Sequence, residues 1–428
     1  MISLIAFCLF AGLGLMSLLI NRDVFSPSKF YVFYLFVYFS DIYFNKQYNE
    51  VYFVYIYYVL LGYIITLFEA IYLSETKNTR IVKSDCLSNE SVVLFFIWVI
   101  TLIPVVTQVY LIYSFGGIIS YLNSIHLRVV EWQGMGPFLA LKRFMPILNI
   151  IFLYLGLKFH IRNKRVWWIL FAIHFILLVA MGLLSGSRGA TLFGFVYFLV
   201  LINFFHRKIS VSKVLMYASI LLVTAATLGT VRNSFNGNDF SANKVDVISS
   251  ISNAQLIKYG IIPLNILLED EYEDFKFGST YLSAFTNFVP RSIWVNKFET
   301  GGVAITKFRA GADDYTGTSN YSPGLVGEAI LNFGYVFGPV ISTGILFVNF
   351  LISILFYKKV KLQMAKKFEK AHLFYLFMFL MYLTIPGGLL FGEYSSIYMS
   401  LIIKVIFFVI IFFPLIKIMK VYNVNHSY

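Results

Sequence analysis

Long apolar runs separated by short polar segments set the pattern of the whole chain. At the rise of an α-helix, about 20 apolar residues cross the hydrocarbon of a bilayer. The runs predict spans at 2–20, 28–44, 51–73, 92–113, 138–158, 166–184, 190–206, 213–231, 323–357, 371–394 and 396–416. The seventh is short, and the ninth is longer than a membrane alone requires. The pattern therefore predicts an all-α integral membrane protein with about eleven transmembrane helices. Residues 1–231 carry spans 1 to 8, residues 232–322 form one large loop, and residues 323–428 carry spans 9 to 11. Residues Met1 to Ile20 lack a basic stretch before the apolar run and a small-x-small cleavage site, so they read as a first span, not a secretory signal. Phe7 before Cys8 does not fit a lipoprotein site. The large loop has Leu, Ile, Phe, Tyr and Trp throughout, with helix-like stretches near 246–268 and 279–290. It is expected to fold as a cap on the membrane surface.

Composition strengthens this reading. Hydrophobic residues are 59% of the chain and charged ones 13%, against about 25% charged in a soluble domain. The two cysteines, Cys8 and Cys86, offer neither a disulfide framework nor metal spacing. The net charge of +13 would suggest nucleic acid in a soluble protein. Here the cations sit in short linkers, so they report topology and imply no nucleic-acid partner. Alternate linkers hold Arg22 and Lys29; Lys77, Arg80 and Lys83; Lys158, Arg162, Lys164 and Arg165; Arg207, Lys208 and Lys213; Lys358 to Lys370; and Lys417 and Lys420. Cytoplasmic loops are the ones enriched in Lys and Arg. The amino end is thus expected outside, the carboxyl end inside, and the 232–322 loop on the non-cytoplasmic face.

Charge at a membrane helix or its outer mouth is costly and marks candidate chemistry. One candidate is the turn Ser185-Gly186-Ser187-Arg188-Gly189-Ala190, where glycine lets backbone N–H groups approach an anion and Arg188 brings a planar cationic fork. A lone interfacial Arg snorkelling to headgroups is the plain alternative. A second is Asn287 to Lys297, with Arg291, Trp294 and Lys297 around Pro290; the plain alternative is a surface hinge. In a third, Ser322-Pro323 reads as the N-cap and first residue of a helix. Glu328, Asn332 and Tyr335 then fall on one face, where a structural hydrogen bond or ion pair competes with a catalytic role. Arg128, Arg232, Lys307 and Arg309 are further basic candidates. The acidic run 269–274 reads as a solvated face, and His174 as a packed core residue. No Walker loop, HExxH, GxSxG or DxD motif occurs, and no metal or cofactor is implied.

The order of these features resembles the Wzy-type oligosaccharide repeat-unit polymerases, which build O-antigen and capsular polysaccharide. The resemblance rests on Gly116-Gly117 with Arg128 downstream, the Gly186-Ser187-Arg188-Gly189 turn, Arg232 leaving a helix, Pro290 to Trp294 with Lys297, and Pro323 to Tyr335. It covers the chain from about residue 90 onward. Two departures are Val295, where relatives often have Pro, and the turn Phe391-Gly392-Glu393-Tyr394, which lacks the Arg often found there.

The resemblance implies a GT-C-like, metal-independent glycosyltransferase in the bacterial cytoplasmic (inner) membrane. Donor and acceptor would both be undecaprenyl-diphosphate-linked oligosaccharides, with a chain-length regulator, a flippase and membrane lipids as further partners. Negative charge grows on the departing diphosphate, so preorganised cations are the expected catalytic device. The resemblance assigns that task to Arg188, Arg232 and Arg291, and makes Glu328 the candidate general base. Arg128, Trp294, Lys297, Lys307, Arg309, Asn332 and Tyr335 would bind substrate. Two alternatives stay open: an O-antigen ligase, and a non-enzymatic transporter or flippase for lipid-linked sugars. A transporter predicts internal repeats and charge spread through mid-membrane helices, whereas most of the candidate charge lies at the outer mouth.

Overall fold

The computed structural model describes residues 2–21, 23–39, 42, 51–73, 85–125, 131–132, 134–185, 188–217, 219–220, 261–269, 272–289, 293–311, 321–364 and 368–423. In chain order its elements are α1 (Ile2–Ile20), α2 (Pro27–Phe39), α3 (Val51–Leu73), β1 (Asp85–Leu87), α4 (Glu90–Ser114), α5 (Ile118–Ser124), α6 (Gly136–Leu141), α7 (Phe144–Lys158), α8 (Lys164–Leu184) and α9 (Arg188–Phe205). They continue with α10 (Ile261–Glu269), α11 (Ser279–Thr286), α12 (Gly301–Ala310), α13 (Gly324–Met364), α14 (Ala371–Phe391), α15 (Tyr394–Ile418) and β2 (Val421–Asn423). Among the described residues, seven helices are long and apolar enough to cross a membrane, counting Gly136–Lys158 as one. Two shorter apolar stretches, Leu4–Ile20 and Leu192–Phe205, match the first and seventh expected spans. The second expected span is the shorter helix α2, and the eighth, 213–231, lies mostly outside the described residues.

The chain divides into two compact units. The first comprises Met1–Lys77, Ala254–Lys358 and Met378–Leu401. In it, the buried Glu69 of α3 accepts hydrogen bonds from Asn21 Nδ2 at 2.6 Å and from the Ser28 backbone N–H at 2.7 Å. That satisfies the first turn of α2, where Pro27 contributes no donor. Tyr357 of α13 donates to Asp23 Oδ2 at 2.8 Å, and Tyr34 of α2 donates to the Leu383 carbonyl of α14 at 3.1 Å. The cap folds as α10, α11 and α12. Residues 246–260 of the first expected stretch lie outside the described residues, and α12 was not anticipated.

The expected continuous helix over 323–357 requires correction. Gly334 has φ 76° and ψ −178°, so the 324–333 segment is a separate short helix that turns into the long one. Glycine adopts that backbone without steric cost. The turn also brings Gly338 so near the Ile330 backbone that a Cβ would lie 2.8 Å from it.

The second unit comprises Asn78–Asn253, Lys359–Phe377 and Ile402–Tyr428. β1 pairs antiparallel with β2, and Cys86 bridges to His160. Asn89 Nδ2 donates to the Ile418 carbonyl at 2.6 Å, Glu90 accepts from the Arg162 and Asn163 N–H groups, and Asp85 Oδ2 accepts from the Phe368 N–H. Segments within or beside four of the basic linkers thus meet at one end of this unit. His174 is fully buried, bonded to Asn149 at 3.1 Å and edge-on to Trp98 and Phe152. It is a core residue, as expected.

Candidate functional site

The densest polar cluster of the first unit forms where the 324–333 helix meets the cap. Glu328 is fully buried, and both its oxygens accept: Oε1 from Thr280 Oγ1 at 2.9 Å, Oε2 from the Tyr394 N–H at 2.6 Å. Tyr394 is the first residue of α15, so Glu328 satisfies an orphan donor at that helix start. One turn on, Asn332 Nδ2 donates to Thr280 Oγ1 at 2.6 Å and to the Glu328 carbonyl at 2.7 Å. Its Oδ1 accepts from the Gly278 N–H at 2.9 Å. The Leu331 and Asn332 carbonyls accept from the backbones of Lys276 and Phe277. Glu328 and Asn332 thus share a face, as their spacing predicts, and that face clasps residues 276–280 of the cap.

Tyr335 joins by a different route. It lies beyond the Gly334 break, so helical register does not align it with Glu328. Its hydroxyl lies 2.9 Å from the Leu267 carbonyl and 3.1 Å from that of Tyr272, fastening the end of α10.

A second carboxyl, which the sequence reading passed over, lies beside the first. Glu393, in the turn before α15, is only partly buried and stands within electrostatic range of Glu328. The Thr300 hydroxyl and the Gly302 N–H donate to it. Burial pushes its carboxyl above the usual carboxylate range, while those two donors pull it down. The first turn of α12 is shaped to admit both acids. A Cβ on Gly301 would lie 2.7 Å from the Glu328 carboxyl carbon, and one on Gly302 would lie 2.2 Å from Glu393 Oε1. Only glycine leaves room there. Over the pair, Tyr281 packs on Tyr394 with ring centres 4.4 Å apart, and Tyr394 on Tyr398 at 4.4 Å. Asn349 Nδ2 donates to the Tyr398 hydroxyl at 2.7 Å.

The remaining candidates of this unit are distributed around the cap. Lys297 Nζ donates to the Val289 carbonyl at 3.1 Å, and Trp294 is 42% exposed with its ring 6.3 Å from Phe298. That exposed ring suits a sugar face or the membrane interface. Lys307 pairs with Glu299 at 2.6 Å, and Arg309 lies 4.4 Å over the Tyr321 ring. Arg291 lies outside the described residues, as do Arg128 and Arg232 of the second unit. Arg188 begins α9, but its side chain is not among those described. In the second unit, Gly116 and Gly117 have φ of 81° and 111°, which explains the glycine pair before α5.

Sequence reading also missed the basic residues inside the spans, Lys142, Arg143 and Lys404. The signal was available: an ionisable side chain within an apolar run. Among the described residues no group of His, Cys, Asp and Glu is arranged to hold a metal ion.

No curated protein and no solved structure matches the chain. A family model does: that of the O-antigen polysaccharide polymerase Wzy, over residues 1–421. The match takes in the membrane spans, the cap and the glutamate pair alike, and the chain belongs to the O-antigen polysaccharide polymerase Wzy family.

Proposed function

We propose that the protein polymerises undecaprenyl-diphosphate-linked oligosaccharide repeat units into O-antigen or capsular polysaccharide on the outer face of the bacterial cytoplasmic membrane. The observation that carries the reading is the family match over residues 1–421. Members of that family are polymerising glycosyltransferases acting on lipid-linked repeat units. An acceptor hydroxyl attacks the anomeric carbon of the growing chain, the glycosidic bond forms, and the bond to undecaprenyl diphosphate breaks. The hydroxyl proton passes to a base.

Arg188, Arg232 and Arg291 are assigned to the diphosphate, where charge grows and a planar bidentate cation is most effective. Arg128, Lys297, Lys307 and Arg309 hold the glycan or the second diphosphate, and Trp294 offers a sugar-stacking face. The missing DxD motif supports metal-independent transfer. A GT-C-like arrangement with the cap outside, the amino end outside and the carboxyl end inside completes the reading; the charged linkers support that orientation.

For Glu328, full burial and two engaged oxygens support an anchoring role more than proton transfer. Its bonds, with those of Asn332 and Tyr335, brace the cap over α13. Glu393 is partly exposed and adjacent, and is the better-placed carboxyl to meet a hydroxyl. The test is genetic. Deletion should leave single repeat units on the lipid carrier or on the lipid A core, and complementation with Arg188→Lys or Arg291→Lys should fail to restore long chains while the protein is still expressed. Unchanged long-chain polymer on deletion refutes the polymerase reading. Long chains missing only from lipid A core, with free polymer still built, would make it a ligase.

A further inference from the structure

Three cations lie inside apolar spans of the second unit, and the catalytic assignment uses none of them. Lys142 and Arg143 occupy the break between α6 and α7, within the Gly136–Lys158 span. Lys404 is well inside the apolar helix Tyr394–Ile418. At 1.5 Å per residue it lies about 15 Å along the axis from the helix start. The ring of Phe144, next to Arg143, stacks on that of Phe407 with centres 4.0 Å apart. Phe407 is one turn beyond Lys404, so this stacking fixes the register of α15 against the break. Arg143 is then within electrostatic range of Lys404.

Like charges gathered in hydrocarbon are costly unless an anion joins them. Among the described residues none of the three pairs with a carboxylate. The buried Nη1 of Arg143 has no hydrogen-bond partner.

We propose that Arg143 and Lys404, with Lys142 beside them, form a binding site for the diphosphate of a polyprenyl carrier lipid. The position within the spans suits a phosphate delivered by a lipid better than one arriving from water. Its residues are other than Arg188, Arg232 and Arg291, to which the departing diphosphate is assigned. It rests on the reading of the substrate as a polyprenyl diphosphate.

The test uses the full-length protein in nanodiscs of phosphatidylcholine, with radiolabelled undecaprenyl diphosphate as probe and no turnover. Arg143→Gln with Lys404→Met should weaken binding by about a hundredfold, roughly tenfold for each charge-assisted hydrogen bond removed. Lys404→Arg should hold it within about threefold, because the charge remains. The melting temperature of the double variant should stay level or rise, since an unpaired buried charge has been removed. Wild-type affinity in the double variant overturns the proposal, as does a fall in melting temperature or failure to fold, because the cations would then be structural. Equal competition by phosphatidylglycerol makes the site an annular lipid contact, and equal competition by inorganic diphosphate makes it a soluble-anion site; either overturns it too. Polymer ladders measured in parallel separate the two readings. Binding without polymer in the wild type refutes only the polymerase. Polymer with undiminished binding in the double variant refutes only this site.

Discussion

Replacing Glu328 tests whether the carboxyl in the 324–333 helix anchors the cap or moves a proton. Glu328→Ala strands two donors in a fully buried place, the Tyr394 N–H at the start of α15 and the Thr280 hydroxyl. Each unsatisfied donor costs roughly 1–3 kcal/mol. Thr280 already accepts from Asn332 Nδ2, so its own proton has no obvious second acceptor within the cluster. Relief from burying the carboxyl offsets part of this, leaving a net loss of about 3 kcal/mol. Glu328→Gln keeps the shape and one acceptor oxygen. Its amide oxygen can still receive the Tyr394 N–H, while its NH2 faces the Thr280 oxygen, which can accept once more. That variant should lose about 1 kcal/mol. The contrast of about 2 kcal/mol is roughly thirtyfold in the folded-to-unfolded ratio. The assay is the fraction of fluorescently tagged protein surviving a heat ramp in detergent, run beside polymer ladders from a complemented deletion strain. Glu328→Gln should give long chains in proportion to folded protein, and Glu328→Ala should lose folded protein first. A Glu328→Gln protein with wild-type stability and no polymer would refute the anchoring argument and make Glu328 the base.

Two further outcomes follow from the glutamate pair. Gly302→Ala should destabilise the cap by roughly 1–3 kcal/mol, because the new Cβ would meet Glu393 Oε1 at 2.2 Å and the Tyr321 carbonyl at 2.7 Å; Gly14→Ala, with nothing within 4 Å, should be neutral or slightly stabilising in the same heat ramp. The pH dependence has a definite sign. Burial raises the Glu393 carboxyl above its ordinary 4.5, so the folded protein binds that proton more tightly than the unfolded one. The resulting stability is complete below the ordinary value and is lost as pH rises through the raised one. Melting temperature should therefore fall as pH rises above the ordinary 4.5 and Glu393 loses its proton, and Glu393→Gln should flatten that part of the profile. An equal slope in the variant would show that another group titrates.

What the sequence could and could not disclose divides along the reach of its signals. Apolar runs report helices because a membrane helix satisfies its own backbone locally, and α1, α3, α4, α8, α14 and α15 lie within a few residues of the expected spans. The shared face of Glu328 and Asn332 was legible for the same reason, being a matter of one helical turn. Their partners were not: Thr280 and Gly278 are far away in sequence, and no periodicity links the two segments. Tyr335 shows how a local rule can name the right residue on the wrong grounds. The i+7 spacing joined it to Glu328, yet the left-handed backbone at Gly334 breaks that register, and Tyr335 reaches the cap from beyond the turn. Helix α12 carried its own signals, Thr300 accepting from the Val303 N–H and Gly311 at φ 64° after Lys307 and Arg309. Gly301-Gly302 in its first turn, poor helix formers, hid them. Those glycines are there to admit Glu328 and Glu393, so a residue that weakens the local signal is the one that builds the site. The same logic applies to Arg143 and Lys404. Topology is read from charge in the linkers, and charge within a run is discounted as a flaw in the span. In a bilayer that flaw must be offset by something, and on the proposed reading the diphosphate of a lipid-linked substrate is the anion that supplies it.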